Sequence, residues 1–376
     1  NEALGRILSE DIIARRNNPP MDNSAMDGYA LIAKDIELAT PETPVKLDII
    51  EDLAAGYSPE MTIQPGQAVR IMTGAPIPEG ADAVIMQEDT ERNGNSVQVK
   101  DKAEVRENIR DAGEDVREGE TVIRKGADLM PAHIGMMAVV GRSTALVGRR
   151  PQVAVLSTGD EVMDLDEPLS GPCIYNSNGY MLAAQIKSAG GIPSYLGIAR
   201  DNEKDLMEKF KWALQCDMVV SSGGVSVGDY DLVKTSLKKM GQEMLFWKVA
   251  MKPGKPLAFG RIDDVPIFGL PGNPVSSFVS FEQFVRPSIR KMMGATQLNH
   301  KCVQAKLTRT VHKKAGRQHF LSSYVNWEGG ECTVSPTQEQ GSGILKSTVN
   351  ANGLLIFPLE LTEMTEGTEV TVQLLE

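Results

Sequence analysis

Short apolar runs alternate with amphipathic segments from Pro151 to Gly294, and no other feature of the sequence constrains the fold as strongly. The run Val153–Leu156 predicts a strand, and Asn202–Gln215 predicts a helix with one apolar face. Further strands are expected at Tyr195–Ile198, Met218–Val220, Leu245–Ala250 and Pro266–Phe268, and further helices at Asn178–Ala189, Leu232–Met240 and Pro274–Met293. This order predicts a three-layer α/β domain with a mainly parallel sheet and helices on both faces, whose ligands bind at the carboxyl ends of the strands.

The flanking regions have the pattern of β structure. Residues from about 20 to 109 contain short strand-like runs punctuated by Gly and Pro. A hairpin-like stretch around Glu120–Arg124 and a helix at Pro131–Val140 follow. Beyond residue 300, strands are expected at Val303–Thr310, Gln318–Tyr324, Gly353–Phe357 and Glu369–Leu374. Because 376 residues exceed one ordinary core, two to four domains are expected.

Composition restricts the class of protein. The net charge of −11 would repel a phosphate polymer, so no nucleic-acid partner is expected. Four widely spaced cysteines without a CxxC pair argue against a zinc site or disulfide framework and favour a reducing cytoplasm. No apolar run is long enough to span a membrane, and no signal peptide is expected. Because the chain begins at Asn1 rather than Met, further sequence before it is expected.

The loop Ser221–Asp231, with the sequence SSGGVSVGDYD, joins a predicted strand to a predicted helix. Its glycines let backbone N–H groups converge on an anion, and the helix start adds a favourable dipole, which together cradle phosphate. Asp229 and Asp231 end the loop, and since a carboxylate repels a bare phosphate, they suggest a bridging cation such as Mg²⁺. The alternative is a plain turn with Asp231 as helix N-cap, and the residues alone leave both interpretations open.

A second polar loop, Ser157–Glu161, directly follows the first predicted strand of the α/β region. Its hydroxyls, its glycine and the paired carboxylates Asp160 and Glu161 suit phosphate or metal–phosphate contact, or else a capped turn. Asp201 follows the next strand at the same sheet edge and is most simply a helix N-cap.

Three lysines, Lys248, Lys252 and Lys255, lie along a segment stiffened by Pro and Gly. They predict an electropositive wall that binds an anion within an acidic protein, although surface solubility alone would also explain them. The nearby loop Gly269–Pro274 has an asparagine suited to the N-cap and a proline suited to the first position of the next helix. Its exposed N–H groups would face the same ligand pocket, at the carboxyl ends of the strands.

Polar motifs also lie far outside the α/β region, and spacing alone cannot join them to it. Together, the segments closely resemble the MoeA family of molybdopterin molybdenumtransferases, which includes the E domain of gephyrin. The matching segments, in collinear order, are DNSAMDGYA (22–30), RIMTGAP (70–76), GED (113–115), STGDE (157–161), SSGGVSVG (221–228), KPGKP (252–256), GLPGNPVS (269–276) and QGS (340–342). The resemblance runs from Gly5 almost to the end of the chain.

The resemblance implies a fold of four subdomains. A small mixed α+β subdomain would combine residues 1–19 with 113–148, and a β-rich subdomain would cover 20–112. The α/β domain, similar to that of the molybdopterin adenylyltransferases, would cover 149–295. A C-terminal β-barrel would cover 300–376.

The resemblance also implies an activity, the last step of molybdenum cofactor synthesis. Adenylylated molybdopterin would be hydrolysed with Mg²⁺ as cofactor, molybdate would be delivered to the dithiolene sulfurs, and AMP would be released. Lysines and backbone N–H groups would bind the two anionic substrates, while the metal bridges phosphate oxygens.

Roles follow residue by residue from the matched motifs. The catalytic group would be Asp27, Asp115, Glu161, Asp231, Lys248 and Lys252, with Glu161 and Asp231 as metal ligands. Molybdopterin and its phosphate would contact Ser157, Thr158, Gly159, Asp160, Asp201, Ser222, Gly223, Gly224, Ser226, Gly228, Pro271 and Pro274. Molybdate would be bound by Thr73, Arg110, Lys255 and Ser342.

The family also implies partners. The site would be shared between the protomers of a homodimer, and a molybdopterin adenylyltransferase and apo-molybdoenzymes would be the neighbouring proteins in the pathway. Two alternatives are a binding scaffold of the gephyrin type, for molybdopterin or a receptor, and an adenylyltransferase acting one step earlier.

The sequence departs from the family at two places. Many relatives carry extra arginines before the Gly-Glu-Asp motif, where Asp111 and Ala112 stand here. Bacterial relatives often have an acidic residue before the aromatic residue that corresponds to Phe320 and an arginine near Ser322, whereas this chain has His319 before Phe320. Anion attraction near Arg110 and the contribution of the C-terminal domain are therefore expected to differ.

Overall fold

The computed structural model describes residues 2–224 and 232–375. The predicted loop residues Ser226, Gly228 and Asp231 lie outside the described residues. The chain forms two compact units. The first contains Glu10–Lys125 and Met130–Ala145, and the second contains Gly5–Ser9, Gly126–Leu129 and the chain from Leu146 onwards.

The first unit is built around a six-stranded sheet, which confirms the β-rich prediction for this part of the chain. In spatial order, the strands are Ala83–Met86, Gly28–Leu31, Gln67–Ile71, Val45–Leu53, Ser96–Val99 and Thr90–Asn93. The sheet is buried on both faces: Leu31 and Leu47 lie in one apolar cluster, and Val69 and Val84 lie in the other. Short 3₁₀ turns at Ala33–Ile36 and Gln87–Asp89 connect its strands.

Smaller elements complete the first unit. Ile12–Ile13 pairs antiparallel with Thr121–Ile123, and Asn23–Ser24 pairs with Ile109–Arg110. The hairpin expected around Glu120–Arg124 is therefore wrong, because its buried Ile123 pairs with the start of the chain rather than with a neighbouring strand. A helix spans Pro131–Val139, with the proline at its first position.

The second unit contains the predicted α/β domain. Its six strands, in spatial order, are Ile192–Ala199, Gln152–Thr158, Met218–Ser222, Val265–Leu270, Pro256–Ile262 and Glu243–Lys248. Five strands run in one direction, and only Pro256–Ile262 runs antiparallel to its two neighbours, so the sheet is mixed. Sequence patterning missed Pro256–Ile262, because this strand begins inside the Lys-Pro-Gly segment and turns back at Asp263 (φ 51°).

Helices cover both faces of this sheet. They are Ser177–Ser188, Glu203–Ala213, Leu232–Lys239, Pro274–Ser280 and Arg286–Met292, and a π-helical turn at Phe281–Val285 joins the last two. Along the buried strand, Val153 and Val155 face one apolar cluster, whereas Ala154 and Leu156 face the other. This two-residue alternation between two buried faces confirms the three-layer arrangement.

The C-terminal part forms a closed five-stranded barrel, as expected. Around the ring the strands are Gln318–Glu328, Glu331–Pro336, Cys302–Leu307, Glu369–Leu374 and Gly353–Phe357, which pairs back to the first. The missed strand Glu331–Pro336 pairs with its predecessor across Gly329 and Gly330, both at positive φ. Two residues of this kind form the tight turn that matches the twist of a hairpin.

Short segments attach to these two domains. Met251–Lys252 adds in parallel to Gln318–Glu328 at the barrel, and Val311–His312 pairs with Glu363–Met364. Beside the α/β sheet, Val162–Met163 pairs with Ile174–Tyr175. The helix Lys346–Val349 follows the predicted Gln-Gly-Ser motif. Within residues 2–224 and 232–375, no helix has the length and apolar character needed to cross a membrane.

Candidate active site

A cavity of about 990 Å³ lies at the carboxyl ends of the parallel strands. We call it the strand-end cavity. Its lining includes Ser157–Gly159, Ser222–Gly224 and Pro271–Pro274, together with Glu161 and Asp201. The sequence predicted that these loops lie at the same edge of the sheet, and the structure brings them together there.

Gly223 and Gly224 shape the floor of the strand-end cavity. Their φ angles of 88° and 65° lie in the left-handed region that favours glycine. A Cβ at Gly223 would lie 2.7 Å from the carbonyl oxygen of Thr158, and one at Gly224 would lie 2.3 Å from a methyl group of Val233. Both glycines are therefore required by conformation and by close packing, and they let backbone approach a ligand.

Asn176 is a site residue that the sequence analysis missed. Its buried amide oxygen accepts from the Ser157 hydroxyl (2.8 Å) and from the Gly179 N–H (3.0 Å), which caps a helix. Its amide nitrogen donates to the Tyr195 hydroxyl (2.7 Å). Because the Ser157 proton is directed to Asn176, this hydroxyl offers the cavity an acceptor rather than a donor.

A second asparagine holds two of the loops together. The amide nitrogen of Asn178 donates to the Ser222 hydroxyl (2.8 Å) and to the Gly272 carbonyl (2.7 Å). One side chain at the start of a helix thus fixes the spacing between two loops of the cavity wall. Both asparagines stand in the Tyr-Asn-Ser-Asn sequence at the start of that helix, and an asparagine at this place is a signal for a helix N-cap.

Three carboxylates, Asp160, Glu161 and Asp201, lie close together beside these loops. Burial and then the charge of Asp160 raise the pKa of Asp201, with a further contribution from Glu161. The expected N-cap role of Asp201 is wrong, because Asn202 caps the helix by accepting from the Asp205 N–H. The backbone N–H of Asp201 instead donates to Asp160 (3.1 Å).

The carboxylate chemistry suits a hard divalent cation, which would offset the repulsion by Asp160 that adds to burial in raising the pKa of Asp201. Among the described residues, however, no three His, Cys, Asp or Glu side chains are grouped closely enough to hold a metal ion. Glu161 lines the cavity and has its carboxylate packed against Gly159. Its predicted partner Asp231 lies outside the described residues.

The segments that carry Lys248 and Lys255 lie side by side, because the Val249 N–H donates to the Lys255 carbonyl (3.0 Å) and Lys248 pairs with Pro256. Lys252 lines a second cavity, of about 370 Å³, which we call the barrel cavity. Lys248 and Lys255 are exposed and line neither cavity.

The barrel cavity is strongly basic. Its other charged or titratable lining residues are Arg309, His312, Lys313, Lys314, Arg317 and His319, and none of its described lining residues is acidic. Burial, followed by the charges of Lys252, Lys313 and Arg317, lowers the pKa of His319 to about 4, so its ring is neutral at neutral pH. Apart from Lys252, the sequence analysis did not identify the basic residues of this cavity as a binding group. The basic run at 309–317 in an acidic chain was the available signal.

The segment that contains the Gln-Gly-Ser motif touches both cavities. Gln340 lines the barrel cavity, and Gly343 lines the strand-end cavity. Between them, Ser342 accepts at its carbonyl from the Val275 N–H (3.0 Å) and at its hydroxyl from the Asn273 amide (3.1 Å). Asn273 therefore begins its helix without a side-chain cap, because its amide is directed to Ser342.

The remaining predicted residues lie in the first unit. Asp27 accepts from the backbone N–H (2.7 Å) and the hydroxyl (2.8 Å) of Thr73, and these bonds lower its pKa, with a smaller contribution from Arg70. Asp115 accepts from the Asn18 amide (2.8 Å), and Arg110 is exposed. The structure thus pairs Asp27 with Thr73.

The departure before the Gly-Glu-Asp motif has a local explanation. Arg106 forms ion pairs with both Asp22 and Asp111. Asp22 also accepts from the Ala112 N–H (2.9 Å). Asp111 therefore balances a neighbouring arginine.

Comparison with known families covers almost the whole chain. Residues 1–141 match the family model "MoeA N-terminal region (domain I and II)", residues 154–291 match "Probable molybdopterin binding domain", and residues 304–375 match "MoeA C-terminal region (domain IV)".

Individual relatives agree with these family models. Molybdopterin molybdenumtransferase 2 of Mycobacterium tuberculosis is 38% identical over 99% of this chain and 93% of its own length. Molybdopterin molybdenumtransferase of Haemophilus influenzae is 38% identical over 99% and 92%. The crystal structure of the molybdopterin biosynthesis moeA protein from Pyrococcus horikoshii OT3 superposes with a TM-score of 0.85 at 33% identity, covering 100% of this chain and 93% of that one.

Proposed function

Because this chain belongs to the MoeA family of molybdopterin molybdenumtransferases, we propose that it inserts molybdenum from molybdate into molybdopterin. One structural observation carries this proposal. Two cavities of contrasting chemistry adjoin one short segment, from Gln340 to Gly343. A reaction that joins a phosphorylated pterin to a second oxyanion needs two such binding places.

The strand-end cavity is proposed to bind adenylylated molybdopterin. Gly223, Gly224 and Gly272 expose backbone to the cavity, which suits phosphate oxygens. Its volume of about 990 Å³ lies at the upper end of typical ligand sites, as a dinucleotide-sized substrate requires. The acceptor face of Ser157 suits an N–H group of the pterin or adenine ring rather than a phosphate.

The barrel cavity is proposed to bind molybdate. Lys252 and Arg317 would supply charge-assisted hydrogen bonds to its oxygens. Lys255 and Ser342 are proposed as further contacts, because each stands in the chain between residues that line the two cavities. The concentration of cations within a chain of net charge −11 supports this assignment, because it attracts an anion locally.

In the proposed reaction, water attacks the phosphoanhydride and AMP leaves with the bridging oxygen. The two dithiolene thiols then bond to molybdenum through sulfur without a change of its oxidation state. Their two protons, and protons from solvent for any further oxygen, convert each displaced molybdate oxygen to water. A bound Mg²⁺ would neutralise phosphate charge and polarise phosphorus, and Glu161 is the described residue proposed to hold it. The glycine loops orient the phosphates, and the asparagines fix the loop positions.

We propose that Asp27, Thr73, Arg110 and Asp115 complete the site of a second copy in a homodimer. Among the described residues, the side chain of the exposed, ionised Asp27 forms hydrogen bonds only with Thr73, which leaves it accessible to a second copy. Mixing an Asp27→Asn protein with a Gly223→Ala protein tests this idea. Recovery of activity after mixing two inactive variants is the expected result, and persistent inactivity of verified mixed dimers would contradict a shared site.

The activity itself is tested by incubating the protein with adenylylated molybdopterin, Mg²⁺ and molybdate. We expect AMP release and formation of molybdenum cofactor without ATP. Consumption of ATP with unadenylylated molybdopterin would instead identify an adenylyltransferase. Binding without turnover would identify a scaffold.

A further inference from the structure

His319 lies in the barrel cavity with only 8% of its surface exposed. It follows Gln318 on the first barrel strand, and its ring meets the edge of Phe357 with centroids 6.3 Å apart. Within residues 2–224 and 232–375, no protein group forms a hydrogen bond with this ring. The imidazole nitrogens are thus available to a ligand in the cavity or to a proton.

Cations approach this ring from the short strand beside it and from the loop before it, whereas the strand on its other side, Gly353–Phe357, contributes the ring of Phe357. Lys252 stands on the short strand that pairs beside His319, while Lys313 and Arg317 lie on the loop that leads into its strand. Their charges and burial hold the pKa of His319 at about 4. Arg309 is tied to the carbonyls of Pro336 and Thr337, at 2.7 and 2.8 Å.

The second histidine of the cavity has a different environment. His312 is exposed, with 69% of its side chain accessible, and lies 3.8 Å from the Glu363 carboxylate. Lys314 is exposed beside it. This histidine therefore has an acidic neighbour that His319 lacks among the described residues, which makes it a matched control.

We propose that the barrel cavity binds an oxyanion together with one proton, which His319 takes up. The inference rests on the proposed function, in which this cavity holds molybdate. Burial and then the repulsion of the neighbouring cations keep the ring neutral, and a bound oxyanion offsets that repulsion, so it favours the imidazolium form. By linkage, protonation of His319 must then strengthen anion binding by the same factor.

The proton comes from solvent and no covalent bond of the anion changes, so the binding step balances with one anion and one proton entering together. Between the pKa of His319 in the free protein and its higher pKa in the complex, the dissociation constant rises about tenfold per pH unit. Above the higher value, affinity no longer depends on this ring. Anion capture would therefore be favoured at mildly acidic pH and release at higher pH.

Calorimetry with sulfate tests the proposal, because sulfate stays a dianion throughout the range from about pH 5 to pH 8. Titrations of the full chain in buffers of different ionisation enthalpy count the protons taken up, and molybdate serves as the second probe. We expect an uptake approaching one proton near the lower end of this range. His319→Gln should bind sulfate with nearly wild-type affinity at about pH 8 but lose the proton uptake and the pH slope.

His312→Gln is the matched control and should retain both the uptake and the slope. Loss of the slope in His312→Gln but not in His319→Gln would overturn the assignment to His319. Binding with a slope unchanged in both variants would overturn proton coupling while leaving the anion site intact. Absence of sulfate and molybdate binding at every pH would overturn the anion site as well, and so both proposals.

Discussion

The strand-end cavity and the barrel cavity lie in one compact unit but differ in how they are built and in what they attract. The first presents glycine backbone, hydroxyls and the carboxylates Glu161 and Asp201. The second presents five cations and two histidines without a described acid. Under the proposed function, the phosphorylated substrate and the free oxyanion would bind in separate places, so the two anions would not compete.

The largest expected effect is a loss of molybdate affinity when cations are removed from the barrel cavity. Lys252→Gln combined with Arg317→Gln removes two charge-assisted contacts, each worth about 1.5–3 kcal/mol, so molybdate affinity should fall by at least about 100-fold. Calorimetry measures the loss. Arg261→Gln is the control, because this exposed arginine pairs with Glu243 outside both cavities. A loss similar to that of the control would contradict the assignment.

The next largest expected effect is a loss of AMP affinity when a glycine of the strand-end cavity is replaced. Gly223→Ala would place a Cβ 2.7 Å from the Thr158 carbonyl at a φ of 88°, so it should displace the loop and lower affinity for AMP by about tenfold or more. Gly241→Ala has the same unfavourable φ of 89° with nothing within 4 Å. It should therefore lose only about 1 kcal/mol of stability, with AMP binding unchanged. Equal losses of AMP affinity in the two variants would show that backbone strain, and not the position of Gly223 in the cavity, causes the loss.

A smaller effect concerns the supports of the strand-end cavity. Asn176→Ala removes a helix cap, leaves the Ser157 hydroxyl without its partner and removes one of the two partners of the Tyr195 hydroxyl, which still donates to Asp164. It should therefore lower the free energy of unfolding by about 2–3 kcal/mol. Asn202→Ala removes a cap alone and should lower it by about 1 kcal/mol. Urea unfolding distinguishes them, and equal values would show that the hydroxyl bonds contribute nothing.

The smallest effect concerns Asp201. Its pKa is raised in the folded protein, so the ionised carboxylate destabilises the fold above its ordinary unfolded pKa, and this penalty disappears at lower pH where both states are protonated. Without divalent metal, Asp201→Asn should raise Tm by less than about 2 °C at neutral pH and by nothing at strongly acidic pH. Thermal scans with Mg²⁺ should show less stabilisation of the variant than of the wild type. A lower Tm for the variant at neutral pH would contradict this account.

Much of the fold could be predicted because its signals are local. Runs such as Val153–Leu156 and the apolar face of Asn202–Gln215 carry their period in the sequence, and the structure has strand and helix there. The strand Glu331–Pro336 also had a local signal, the Gly329-Gly330 turn, which was overlooked. The partner of Thr121–Ile123 had none, because pairing with the start of the chain depends on tertiary packing.

The two cavities differ in the same way. The strand-end cavity is made of consecutive loop residues at strand ends, so its loops could be read from the sequence, while Asn176 and Asn178 acquire their roles only from the hydrogen bonds they form. The barrel cavity draws Lys252 and Arg317 from segments that fold together across the barrel. Side chains contributed by distant strands share no spacing, so only their charge could have indicated them.

The separation of the two substrates is tested most directly by turnover kinetics with adenylylated molybdopterin and molybdate varied independently. For the Lys252→Gln and Arg317→Gln double variant, the account predicts a large rise in KM for molybdate and an unchanged KM for adenylylated molybdopterin. Equal rises in both KM values, or a rise only for adenylylated molybdopterin, would contradict the claim that the barrel cavity is the molybdate site.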